Sequence, residues 1–133
     1  MTMNKTRNNE LIRLADAKLR GSDMLDHNSN SIADTYDGKT AALSVSVAMS
    51  DLLPTLANYY QDYDDNKPCK RNVLDVVATM IDIPGGTGKF ADAEALLRYA
   101  IAIDHRGDLP YLKKEVIDCA IALKQVVRTY NLV

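Results

Sequence analysis

Near the end of the chain, Leu112, Val116, Cys119, Leu123, Val126 and Tyr130 recur at spacings of 4, 3, 4, 3 and 4. At about 100° per residue this spacing gathers them on one side of an α-helix. A β-strand, whose side chains alternate between faces, would scatter the same residues over two surfaces. The seam therefore requires a long helix docked on a core. On its back fall Lys113, Lys114, Lys124 and Arg128, interleaved with Ile117 and Ile121. An inward apolar seam with a basic, partly apolar back describes a binding element and not an active site.

The same helical period recurs upstream, and five helices can be read in all. The first covers about Asn8 to Leu25, with Leu11, Leu14, Ala15 and Leu19 on one side. The polar stretch from His27 to Gly38 reads as loop, with Ser31 and Asp34 spaced to cap a single helical turn. The second helix covers about Lys39 to Tyr63. Val45, Met49, Leu52, Leu56, Tyr59 and Tyr63 form one stripe, and Leu43, Val47 and Pro54 lie opposite. Two apolar sides place that helix at the centre, or turn its second side towards another chain. Pro54 is expected to kink or split it. The third helix, Lys70 to Ile83, buries Val73, Val77 and Met80, flanked by Leu74 and Ile81, and stops at Pro84 to Gly88. The fourth, Phe90 to Asp104, buries Ala93, Leu96, Leu97, Ala100 and Ile103. After a connection at His105 to Leu109, Asp108 caps the last helix and Pro110 enters its first turn. That helix is expected to run to Asn131. No segment alternates with period two, so the expected fold is an all-α, single-domain bundle of five to six helices, with residues 1–7 flexible.

A chain of 133 residues with 47% apolar and 26% charged residues has enough material for one core and is not a disordered chain. Its net charge of −2 is unevenly spread: +3 over residues 1–20, −7 over 21–66 and +2 over 67–133. A uniformly basic nucleic-acid binder is excluded, whereas a local basic patch beside an acidic half is compatible. Cys69 and Cys119 have no partner at metal-ligand spacing, and His27 and His105 stand alone, so neither a zinc site nor a disulfide framework is spelled out. No cofactor is expected. Free thiols, a polar start from Met1 to Glu10, and a longest nearly uncharged run of only Thr40 to Ser50 point to a cytoplasmic protein with no membrane partner.

The motifs that hint at catalysis fail on spacing. Pro84-Gly85-Gly86-Thr87-Gly88-Lys89 resembles a phosphate loop, but Ile83 stands where its first glycine belongs, and Phe90 follows the lysine in place of Ser or Thr. Asp62, Asp64 and Asp65 lack the central glycine and terminal Glu of a calcium loop. No Ser, Thr or Cys is locally paired with a histidine held by an acid. The expectation is a protein that is not an enzyme. The cations carry more: Lys113, Lys114, Lys124 and Arg128 are candidates for phosphate contact, Arg13, Lys18 and Arg20 would extend that surface, and Lys39 and Arg71 begin two other helices. Leu43, Val47, Ile117 and Ile121 are candidates for a protein interface. The alternative reading is a protein-only adaptor that docks a partner helix beside Leu43 and Val47, without RNA.

Two segments share a further likeness: Tyr36-Asp37-Gly38-Lys39 followed by Leu52-Leu53-Pro54-Thr55-Leu56-Ala57 and Tyr59-Tyr60; and Ala120-Ile121-Ala122-Leu123-Lys124 with Val127-Arg128-Thr129-Tyr130-Asn131-Leu132. In order and spacing they resemble the small helical subunit of the type III-B CRISPR–Cas (Cmr) RNA-guided effector complex. The likeness covers about a third of the chain, and 66–109 carries none of it. It implies a non-catalytic subunit in antiviral defence. Copies would stack along a ribonucleoprotein beside other effector subunits and line the path of guide and target RNA without reading sequence. By the same likeness Lys124 and Arg128 are RNA-facing, and Leu52, Pro54 and Leu56 are packing residues.

Overall fold

In a computed structural model of the protein, the described residues are 4–103 and 108–133. The expected end of a helix at Asp104 and the connection around His105 fall outside them. Among the described residues there are six helices and a three-stranded sheet of two-residue strands. Helix α1 is Lys5–Arg20, strand β1 Leu25–Asp26, strand β2 Ser31–Ile32, helix α2 Thr35–Ser50 and helix α3 Leu52–Gln61. Helix α4 is Lys70–Met80, helix α5 Ala93–Ala102, helix α6 Asp108–Val127 and strand β3 Asn131–Leu132. The helical-bundle expectation holds. No helix among the described residues is long and apolar enough to cross a membrane.

The starts of α1, α3 and α5 have a local cause. The Asn4 side chain accepts from the backbone N–H groups of Thr6 (2.9 Å) and Arg7 (3.3 Å), so α1 starts earlier than the apolar pattern indicates. Lys5 to Arg7, expected to be flexible, are its first turn. The Asp92 side chain accepts from Ala95 N–H at 2.9 Å, and the Asp75 carboxylate accepts from Ala93 N–H at 2.7 Å, together fixing the start of α5. The expected long second helix breaks at Asp51, not at Pro54. Asp51 adopts φ +77°, outside the helical region, and its carboxylate accepts from Leu52 N–H at 2.8 Å to start α3. Pro54 then sits in the first turn of α3, where its missing N–H costs nothing.

The break resets the helical phase. Leu52, Leu56 and Tyr59 face the core in α3, but in α2 the buried side is Tyr36, Thr40, Leu43 and Val47. Val45 and Met49, expected inside, are 54% and 82% exposed. Leu43 and Val47, expected at an interface, are fully buried in the core. Tyr63, at the far end of the same expected stripe, is also exposed. The central helix is accordingly α4, not α2: it touches each of the other five, burying Val73, Leu74, Val76, Val77, Ala78 and Met80.

Helix α6 packs on α1, α2 and α4. It runs parallel to α1, since Arg7 near the start of α1 bonds Glu115 and Asp118, and Asp16 near its end bonds Tyr130. It runs antiparallel to α2, since Asp37 meets Arg128 and Asp51 meets Lys113. The expected seam is buried from Leu112 to Val126. The helix ends at Val127, however, and Tyr130 reaches the core from a turn. The tail becomes β3, parallel to β2, while β1 pairs with β2 antiparallel. Val133 closes the arrangement: its N–H donates to Ile32 C=O at 3.0 Å, and its C=O accepts from Asp34 N–H at 2.9 Å. These strands are too short for any alternation to register in sequence.

Replacing Leu74, fully buried in α4, by alanine is expected to cost about 2–5 kcal/mol in urea unfolding. Met49→Ala on the exposed side should stay within about 0.5 kcal/mol. The Tyr130 hydroxyl donates to Asp16 at 2.5 Å and, more than Arg20, holds that carboxyl below its usual range. In Tyr130→Phe the Asp16 pKa should rise, read by NMR titration of its side-chain carbon. A depressed folded-state pKa stabilises above the unfolded value and loses that effect as pH falls through it. The stability gap between wild type and Tyr130→Phe should therefore be present at neutral pH and shrink on acidification below the carboxylate range.

Candidate nucleic-acid interface

The outer side of α6 carries Lys113, Lys114, Ile117, Ile121 and Lys124 on a single face, which Arg128 continues in the residue after the helix. The two isoleucines are half-buried, with Ile117 packed against the core edge. The cations are not all available as charges. Lys113 Nζ lies 3.2 Å from Asp51, Lys114 Nζ 2.9 Å from Asp118, and Arg128 Nε 2.7 Å from Asp37. Lys124 has no carboxylate partner among the described residues. The Lys113 and Arg128 pairs are exposed and contribute only about 0–1 kcal/mol, and Arg7 stays on buried Asp118 when Lys114 leaves, so these cations can exchange a carboxylate for a phosphate. Each carboxylate stays nearby, though, and repels an incoming phosphate. The face is a weaker polyanion binder than its sequence indicates.

The α1 cations do not extend this face as a set. Lys18 lines a cleft against α4 with Asp23, Asp75 and Asp92. Arg20 is held by Asp16 at 3.0 Å, and its guanidinium lies 6.0 Å from the Tyr130 ring centre. Arg13 is exposed and makes no ion pair among the described residues. Arg7, which sequence reasoning passed over, bridges α1 to α6 through Glu115 and, at 3.2 Å, Asp118. Asp118 is buried and accepts from both Arg7 and Lys114. No local sequence pattern couples residues so far apart.

Arg71 is a structural clamp. Its Nε donates to Tyr60 C=O at 2.6 Å, and its guanidinium lies 4.0 Å from the Tyr60 ring centre and 4.5 Å from that of Tyr63. The adjoining cavity is lined by Asp23, Asp75, Asp92 and Glu94, a setting hostile to phosphate. Burial raises the Asp75 pKa above its usual range. Lys39 lies elsewhere, on α2, lining a shallow concavity together with Lys70 of α4.

Between these elements the residues of three separate segments meet. The Tyr59 hydroxyl donates to Lys39 C=O at 2.7 Å, joining Tyr59-Tyr60 to Tyr36-Asp37-Gly38-Lys39. Arg128 reaches Asp37 of that same segment from the chain end. Tyr59 is buried, which pushes its phenol up to about 12, so it remains a donor throughout the physiological range. The Tyr36 hydroxyl accepts from Asn72 at 2.8 Å, tying the start of α2 to α4.

The segments that superficially evoke catalysis are accounted for structurally. Lys89 folds back on its own loop, donating to Met80 C=O at 3.2 Å and Asp82 at 3.0 Å. The chain reversal there uses Gly85, Gly86 and Gly88 at positive φ. Cys69 and Cys119 are buried free thiols, and burial pushes Cys119 up to about 12. Asp62 accepts from Lys70 N–H at 3.0 Å and so shapes the start of α4. Among the described residues no group of His, Cys, Asp or Glu is placed to hold a metal ion. Against protein-family models, curated proteins and solved structures, the chain has no match.

Tyr59→Phe keeps the buried ring and removes one hydrogen bond, leaving the Lys39 carbonyl without that donor. The expected loss is about 0.5–1.5 kcal/mol in chemical denaturation. No change would mean that the contact between the two segments contributes nothing to the fold.

Proposed function

We propose that this protein is a non-catalytic helical subunit of a cytoplasmic type III-B CRISPR–Cas (Cmr) ribonucleoprotein, lying along the effector complex and contacting guide and target RNA through phosphates. The observation that carries the reading is the meeting of the two segments that resemble the Cmr small subunit. They are far apart in sequence, yet Asp37 of the earlier one is bonded to Arg128 of the terminal one, while the Tyr59 hydroxyl closes the earlier one on Lys39. A likeness that arose from common helical composition has no reason to converge on one end of α2. The outer face of α6 supports the same reading, with unpaired Lys124 and exchangeable Lys113, Lys114 and Arg128 flanking two half-buried isoleucines. Phosphate contact from such a face is independent of base sequence.

A second reading, a protein-only adaptor, draws on the exposed apolar side of α2. That side is Val45 and Met49 with Ala42 and Ala48, and not Leu43 and Val47, which are core residues.

The two readings part on RNA. Co-expression with the subunits of a type III-B complex should give co-purification in both. In the assembled complex, Lys124→Glu combined with Arg128→Gln should weaken target-RNA binding and reduce its salt dependence. Arg128→Gln forgoes only an exposed ion pair, so the fold should persist. Unchanged target binding would remove the RNA-facing role of α6 and favour the adaptor, in which Met49→Asp would instead abolish co-purification.

A further inference from the structure

Gly38 is the fourth residue of α2, and nothing within the chain requires a glycine there. Its φ is not positive. A Cβ added to it would meet no atom within 4 Å. Glycine in a helix costs stability relative to alanine, because it loses more backbone freedom on folding. Without a side chain at position 38, the helix surface there is open to close approach from outside the chain.

What surrounds Gly38 indicates the chemistry of that visitor. The open space above it is a shallow concavity of about 520 Å³, with Gly38 and Ala42, one turn apart, on its α2 side. Lys39 enters from α2 and Lys70 from α4, with Asp34 and Thr35 at the end. Neither ammonium group has a carboxylate partner among the described residues, in contrast to Lys113, Lys114 and Arg128. With Asp34 as the only acid in the lining, the concavity is net positive. Cavities elsewhere have the opposite sign, being lined by Asp23, Asp75 and Asp92, or by Asp26, Asp64 and Asp65. The N-terminal end of α2 adds a potential of the same positive sign.

The two lysines are also positioned. Buried Tyr59 donates its hydroxyl to the Lys39 carbonyl, and its ring carries the Lys70 ammonium 5.3 Å from the centre. One rigid aromatic thus anchors the Lys39 backbone and carries the Lys70 ammonium, so both residues are tied to the same point of the fold.

We propose that the Lys39–Lys70 concavity is a phosphate-binding site for single-stranded RNA, in which a backbone phosphate bridges the two ammonium groups and the neighbouring sugar lies over Gly38 and Ala42. This rests on the RNA-contacting reading above and adds a site, separate from the α6 face, that the absence of a side chain at position 38 keeps open.

The test is binding of fluorescein-labelled oligouridylate to the full chain across a salt series, with thermal unfolding of every variant. Lys39→Gln with Lys70→Gln should reduce the slope of log affinity against log salt by about 0.7, the value for one lost phosphate contact on a single strand. Gly38→Leu should melt at or above the wild-type temperature and still lose RNA affinity, which separates occlusion of the site from damage to the fold. If both variants bind as wild type while Lys124→Glu weakens binding, the concavity is not the site and the RNA reading stands. If the wild-type chain shows no salt-dependent affinity for oligouridylate, both fall.

Discussion

Burial of α4 is the constraint on which the rest of the structure depends. This eleven-residue helix touches all five others, and six of its residues are withdrawn from water. Only a helix apolar around most of its circumference can occupy such a position. Its neighbours need one apolar stripe each, and each retains a free side. The α6 seam closes over α4 with α1 and α2 on its flanks, while α3 and α5 cover the other side. Every surface with a functional claim is thus the outward side of a helix whose inward side is held, directly or through one neighbour, by α4.

That arrangement also decides which charges are available. Packing α2 antiparallel to α6 brings Asp37 to Arg128 and Asp51 to Lys113, so the cations at both ends of the α6 face acquire carboxylate partners. Packing α1 parallel to α6 places Arg7 on Glu115 and Asp118, and Asp118 in turn takes Lys114. What the sequence presents here as four positive charges is, among the described residues, one lysine without a carboxylate partner and three cations that have one. Lys39 and Lys70, by contrast, both line a concavity with a single acid among its described lining residues. Attraction for a polyanion follows the local sum of charges and not the count on one helix, which moves weight from α6 towards the start of α2.

The parts legible in the sequence were those set by a repeating local pattern: helix content, the α6 seam from Leu112 to Val126, and the buried sides of α4 and α5. The error in α2 has a specific origin. A 4, 3, 4, 3, 4 stripe drawn through Val45, Met49, Leu52, Leu56, Tyr59 and Tyr63 assumes continuous helical phase, and a single residue, Asp51 at φ +77°, interrupts it. With ψ at 168° this backbone lies in a region occupied almost entirely by glycine, so an aspartate in the sequence does not announce it. Leu43 and Val47 therefore moved from surface to core, and Val45 and Met49 from core to surface. The small sheet was invisible for a different reason, since two-residue strands leave no period to detect.

The sequence by itself determined that the chain forms an all-α bundle, which helices exist, and that α6 buries one side and presents a basic one. These follow from side-chain spacing within a turn or two and require no knowledge of what lies opposite. Only the tertiary structure decided that α4 is central, that most α6 cations are paired, and that Lys39, Tyr59 and Lys70 form one unit around an open Gly38. The physical reason is range. Helical periodicity is local, whereas charge pairing and close approach depend on distances between residues that only the packed helices bring together.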